Sequence, residues 1–186
     1  MPRLALPTAQ VHRSYIAAME EFRAEGQGGP GDDTTLGSTL RHYGARWRDP
    51  AVFASYVAEV RAAAYPAEPL AVPVTTLWYV EGADYLGRIT IRHTVATRFL
   101  REYGGHIGYE VRPTARRRGH ATDMLRACLP YAAGLGLESV LVTCDTDNTG
   151  SRKVIEAAGG TFEDERGGKL RYWIGTGRIR TDASRV

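Results

Sequence analysis

The stretch Val111-Arg112-Pro113-Thr114-Ala115-Arg116-Arg117-Arg118-Gly119-His120-Ala121 joins the end of an apolar strand to the start of an amphipathic helix. The first N–H groups of a helix have no partner inside it, so this junction presents bare donors at one point. The helix dipole adds a partial positive charge there, which suits a phosphate or pyrophosphate. Gly119 lets backbone and anion approach closely, and Ala121 keeps the first turn small. The junction is not a Walker-type loop, because no Gly-Lys-Ser/Thr ends it, and it is not a Gly-x-Gly-x-x-Gly turn. A basic helix cap on a solvent face is the plainer reading of the same residues.

Upstream, Val74 to Val80 is a β-rich run, residues 81–84 form a turn, and Tyr85 to His93 returns as a second strand. A short helical piece at 97–103 leads into a third strand, 104–111. Downstream, a helix over 118–134 carries the stripe Ala121, Met124, Leu125, Cys128, Leu129 and Ala132. Pro130 is expected to kink that helix or end its regular bonding. Residues 139–144 read as a strand buried on both faces. Asp147 or Asn148 caps a helix over 149–158, and Gly159-Gly160 ends it. Strands 161–165 and 169–174 follow, joined by Arg166-Gly167-Gly168. N-terminal to all this lie a helix over 11–25, an irregular glycine-rich loop at 26–33, and a helical region over 39–64 broken at Asp49-Pro50. The tail after Gly175 reads as frayed. The order predicts one α/β domain of the α+β kind, spanning 1–186.

At 186 residues, with 43% hydrophobic and 24% charged residues, the chain has the composition of a globular domain. No run approaches the roughly 20 apolar residues of a membrane span, and the first residues lack a secretory signal pattern. A cytoplasmic protein with no membrane partner is the expectation. The net charge of +3 rests almost wholly on arginine, Lys153 and Lys169 being the two lysines. The excess reads mainly as solvated surface, so no nucleic-acid partner is expected. Cys128 and Cys144 fall on apolar faces without metal spacing and read as reduced core thiols, with no metal site. Trp47, Trp78, Tyr79 and Trp173 read as core rather than as a stacking surface.

Arg116, Gly119 and Ala121 match the arginine/glutamine-x-x-glycine-x-glycine/alanine motif of the GNAT superfamily of N-acetyltransferases, which the chain resembles over about 74–174. A strand at 140–144, then Asn148, Ser151 and a helix ending in Gly159, matches the family's next landmark. The resemblance extends to an uncharacterised subgroup with segments like Ile91-Arg92-His93, Gly104-Gly105-His106-Ile107-Gly108-Tyr109, Val142-Thr143-Cys144-Asp145 and Arg171-Tyr172-Trp173-Ile174. It implies a mixed, mostly antiparallel sheet flanked by helices, with a splay between the strands at 104–111 and 139–144. It further implies acetyl-CoA as acyl donor in that opening. Tyr109 and Val111 would meet the pantetheine arm. Arg116, Arg117, Arg118, Gly119, His120, Ala121 and Thr122 would hold the pyrophosphate, with Asn148 and Ser151 on the far side.

The implied reaction moves an acetyl group to a primary amine of a small molecule or peptide, by direct attack in a ternary complex. No cysteine-histidine nucleophile pair is recognisable. His106 and Glu110, on the strand leading into Val111, are the candidate bases. Helices 11–64 would form a lid on the acceptor side, and a homodimer is compatible with the pattern. The family commonly has a tyrosine seven residues after the asparagine, as acid to the departing thiolate, but position 155 is Ile155. Tyr172 is the expected substitute donor. A non-catalytic acyl-CoA-binding module is the rival reading.

Overall fold

The computed structural model describes residues 1–177. The β-rich run over 74–92 produces two long strands, β2 (Val74–Glu81) and β3 (Asp84–Arg92), which pair antiparallel across a tight turn. They are joined by β1 (Arg3–Ala5), β4 (Ile107–Val111), β5 (Ser139–Asp145), β6 (Thr161–Arg166) and β7 (Lys169–Gly175). The seven strands run in the order β1-β2-β3-β4-β5-β7-β6. Every neighbouring pair is antiparallel except β4–β5, which is parallel. This is the mostly antiparallel mixed sheet expected from the sequence, flanked by helices on both faces.

Each face carries its own core because successive side chains point to opposite sides. One face buries Ile89, Ile91, Ile107, Val140 and Val142 under α4 (His120–Gly134) and α5 (Thr149–Ala157). The other buries Trp78, Val80 and Tyr85 under α1 (His12–Ala24), α2 (Thr35–Tyr43) and α3 (Pro50–Ala62). Trp47, Trp78 and Tyr79 are buried in these cores, whereas Trp173 is half-buried. Both cysteines are free and buried.

Several local readings need correction or addition. β1 does not show in the periodicity, being three residues long; Leu4 is its one buried residue, and Ala5 packs against the opposite core. The loop at 26–33 is organised by Asp32, whose carboxylate accepts from Gly28 N at 2.8 Å and Thr34 N at 3.1 Å. Thr34 then caps α2 through Gly37 N, so that helix starts at Thr35 rather than 39. α4 runs on through Pro130 to Gly134, because Pro130 and Arg126 lie on its exposed side, where the freed carbonyl faces solvent. β4 begins at Ile107, since Leu100–Gly104 closes as a π-helical turn. At the other end Thr176 is buried and donates to Leu137 O, so fraying does not begin at Gly175; the frayed tail expected from 178 onward lies outside the described residues.

Candidate active site

β4 and β5 touch only where β4 begins, against the middle of β5. Ile107 pairs with Val142, and no further register partner exists between them. His106 closes this end twice: its N–H donates to Leu141 O at 2.7 Å, and its Nδ1 accepts from Leu141 N at 2.8 Å. Gly105, at φ +62°, is required there, because a Cβ would stand 2.6 Å from Leu141 O. Beyond Ile107 the strands diverge, as the expected splay requires. Arg92 N bonds His106 O and Arg112 N bonds Leu86 O, so the antiparallel ladder to β3 uses the even-numbered residues of β4. The backbone groups of Tyr109 and Val111 therefore face the opening.

The mouth of the splay is the quoted junction. Arg117 has φ +65°, Gly119 has φ +84°, and the intervening Arg118 has negative φ. Such alternation turns successive N–H groups toward a common point and forms an anion-binding nest. Among the described residues, the N–H groups of Arg117, Arg118 and Gly119 meet no acceptor, and the first bond into α4 is Asp123 N to Gly119 O at 3.1 Å. The half-buried His120, Ala121 and Thr122 add the unbonded donors of the first turn.

The arginines divide into two groups. Arg116 is clamped by Glu25, which caps the C-terminus of α1, with two contacts of 2.8 Å, and its Nε donates to Val111 O at 3.1 Å. Arg112 is held by Glu21, which also accepts from Thr114 N and Oγ1. These two arginines stitch the junction to α1. Arg117 and Arg118 are exposed and make no ion pair among the described residues.

Across the opening, Asn148 caps α5 by accepting from Ser151 N at 2.9 Å. Ser151 Oγ shares a 2.6 Å hydrogen bond with Tyr109 OH, which spans the splay from β4 to α5. Burial pushes the Tyr109 hydroxyl up to about 12, with Ser151 opposing. Ile155 is fully buried in the core. Tyr172 is not brought to the opening. Its hydroxyl donates to Glu156 Oε1 at 3.2 Å, and Glu156 lies five residues beyond Ser151, on a different flank of α5. β5 also stands between β7 and β4.

On the sheet face opposite α4 and α5, Glu110 meets Arg88 with Nε at 2.5 Å from Oε1. Burial raises the Glu110 carboxyl above the ordinary range, outweighing Arg88, and the charge of Asp32 adds to the rise. About a fifth of the Glu110 side chain remains exposed. His106 is different. Burial first, then the charge of Arg92, lowers it from 6.5 to about 4. While Nδ1 accepts from Leu141, the neutral ring carries its proton on Nε2, so it has no free lone pair to serve as a base.

That placement makes His106 a pH-sensitive clasp. Its folded value lies below its unfolded one, so stability present above pH 6.5 is lost as pH falls toward 4, by on the order of 3 kcal/mol. His106→Asn, whose amide oxygen can take the Leu141 N–H, is expected to lack this fall. Urea midpoints at neutral and acid pH check it.

Two elements of the site carry weak signals in the sequence. Arg88 lies inside the predicted second strand with nothing to mark it, and only the β3–β4 register, which sets it opposite Glu110, reveals it. Glu21 and Glu25 sit four apart, in the last turns and at the C-cap of α1, a spacing that any solvated helix shares. Among the described residues, no group of three or more His, Cys, Asp or Glu is placed to hold a metal ion. None of their helices is long and apolar enough to cross a membrane.

Several solved structures share this shape at low sequence identity. The chain is similar to RimJ from Mycobacterium smegmatis in complex with CoA-disulfide, with TM-score 0.64 and 19% identity over 94% of this chain and 81% of that one. It is similar to the microcin C7 self-immunity acetyltransferase MccE, solved with acetyl-CoA and AMP, with TM-score 0.62 and 12% identity over 94% and 92%. A Salmonella typhimurium acetyltransferase that modifies the N-terminal serine of ribosomal protein L7/L12 aligns with TM-score 0.57 and 14% identity over 94% of each chain. No curated protein sequence matches. The model of the GNAT acetyltransferase domain matches residues 35–161, which is most of the sequence and includes the splay, the nest and Asn148 with Ser151. The chain belongs to the GNAT acetyltransferase family.

Proposed function

We propose that this chain transfers an acetyl group from acetyl-CoA to a primary amine by direct attack within a ternary complex, acting as one domain over 1–186. The observation that carries this is the row of unbonded N–H groups from Arg117 to Thr122, set at the mouth of the β4–β5 splay. Donors so placed suit a pyrophosphate, and Arg117 and Arg118 add mobile charge beside them. The N–H groups of Tyr109 and Val111, facing the opening, suit an extended amide-bearing arm. Asn148 and Ser151 line its other side, while Arg116 braces the loop through Glu25 and Val111 O.

Acetyl-CoA supplies an activated acyl carbon to the amine. Glu110, with its raised carboxyl, takes the proton that frees the amine's lone pair. The N–H of Tyr109 polarises the acyl oxygen. Tyr109 OH, protonated throughout the working range, and Ser151 Oγ deliver a proton to the leaving sulfur in place of the tyrosine that Ile155 replaces. The acceptor approaches from the face of α1–α3, where the α1–α2 connection brings Asp32 near Glu110.

Calorimetry with CoA and thiol release over an amine panel test the reading together. Binding with turnover, and intersecting initial-velocity lines, is the expected outcome. Tight binding with no turnover over the panel favours the non-catalytic module that the buried Ile155 suggests. Tyr109→Phe and Ser151→Ala are each expected to lower kcat by about 10- to 100-fold, while CoA affinity shifts by much less.

A further inference from the structure

Between Glu110 and the end of β3, the sheet face toward α1–α3 has a floor with little on it. Thr90, Arg92, Gly108, Glu110, Thr143 and Trp173 share this face, and all are half-buried, although they sit on central strands and β7. Gly108 contributes no side chain. A Cβ there would stand 3.2 Å from Thr90 Oγ1 and 4.0 Å from Arg92 Nη1, so this end of the guanidinium borders the space above Gly108.

Arg92 is the unusual member. Its Nη1 donates to Gly104 O at 3.0 Å and Gly105 O at 3.3 Å, which fixes the orientation of the head group. Among the described residues it has no carboxylate partner. Its Nε and Nη2 make no hydrogen bond among them, and neither is sealed from solvent. Burial without a counter-charge disfavours the cation, a cost that an incoming anion would offset. The free Nε–Nη2 edge is the fork that accepts a carboxylate through two parallel hydrogen bonds.

We propose that Arg92 holds a carboxylate of the acceptor, whose amine lies at Glu110. The proposal rests on the acetyl-transfer reading above and names its acceptor class. Gly108 and Glu110 are two strand residues apart, a step of about 7 Å. An extended dipeptide spans the same length between its amine and its terminal carboxylate, at about 3.3–3.6 Å per residue. The acceptor is therefore a small zwitterion of dipeptide size rather than a long peptide, in which an amide replaces the terminal carboxylate at that distance.

The test compares Ala-Ala, Ala-Ala amide and an Ala-Ala-initiated decapeptide as acceptors, by thiol release from acetyl-CoA. The expected result is a kcat/KM for Ala-Ala at least about 10-fold above both others. In Arg92→Gln that preference is expected to fall to within a factor of three of unity, and Arg92→Lys, which keeps the charge but loses the fork, to retain part of it. Equal turnover of all three acceptors by the parent, or a preference unchanged in Arg92→Gln, overturns the proposal while leaving acetyl transfer standing. If nothing is turned over, binding of Ala-Ala to the CoA-loaded protein decides by calorimetry. Binding that is lost in the amide and in Arg92→Gln keeps the subsite and removes the catalytic reading. No binding removes the subsite, and the amine panel alone then decides the catalytic reading.

Discussion

Gly119→Asp is expected to weaken CoA binding by at least about 100-fold, which corresponds to roughly 2.7 kcal/mol. The new carboxylate would stand among the N–H groups that precede Asp123, where the pyrophosphate is proposed to sit. Like charges about 5 Å apart at an effective dielectric near 20 repel by roughly 3 kcal/mol, enough to account for the loss. Sterics do not explain it in advance, since the nearest atom to a Cβ at this position is Asp123 Oδ2 at 3.9 Å. Conformation contributes separately, because φ is +84° and most side chains resist that region. Gly119→Asn separates the two effects. Asparagine has the shape of aspartate, tolerates positive φ, and carries no charge, so its CoA affinity is expected to stay within about fivefold of the parent. Calorimetry in low and high salt reads the difference, and the Asp penalty should shrink as salt rises. Equal losses in the two variants would show that the nest does not hold the anion.

The legible and illegible parts of this site differ in physical kind. The helix start is local: Gly119, the arginines and the apolar stripe after them all act within a dozen residues, so their pattern carries the anion site. The same holds for Asn148 and Ser151, which are linked by a capping bond within one turn. What a side chain does across the sheet is not local. His106 has the residue type of a base, yet the neighbouring strand takes its Nδ1, which only the β4–β5 register determines. Tyr172 is a hydroxyl donor in sequence, but strand order sets it beyond β5 and Glu156 holds it on the wrong flank of α5. Tyr109 reads as a strand residue whose backbone matters, and its hydroxyl gains a role only because α5 brings Ser151 within 2.6 Å. Arg112 and Arg116 look like anion ligands until α1 supplies Glu21 and Glu25. Charge clusters near a loop are thus ambiguous wherever an unpaired helix face of the opposite sign lies elsewhere in the chain.

Glu110→Gln is expected to lower kcat by about 10²- to 10⁴-fold, the range for loss of a positioned general base. The argument starts from the pair with Arg88. Burial raises the carboxyl and Arg88 restrains the rise, so Glu110 stays a base but a stronger one than an exposed glutamate. The rate of the parent should therefore climb with pH through this raised value and then level, and the Gln variant should lack that limb. Stability runs in the opposite sense. A carboxyl with a raised folded value binds protons more tightly in the native state, so the parent loses stability as pH rises from the unfolded value through the folded one, and the Gln variant does not. Against this, Arg88 is only 5% exposed, and removing its counter-charge leaves a buried cation. Breaking such a pair costs about 3–5 kcal/mol, reduced here because the Gln oxygen still accepts from the guanidinium. A lost rate could then reflect a loosened sheet rather than a missing base. CoA affinity decides, because the nest and splay are built by other residues: an unchanged Kd with a lost rate places the defect in proton transfer. Glu110→Asp completes the test, since it keeps the charge on a shorter arm and should retain the pH limb at reduced rate. A Gln variant that keeps both the rate and the limb would remove Glu110 as the base, and the acceptor amine would then need another group on the Thr90–Gly108 floor to take its proton.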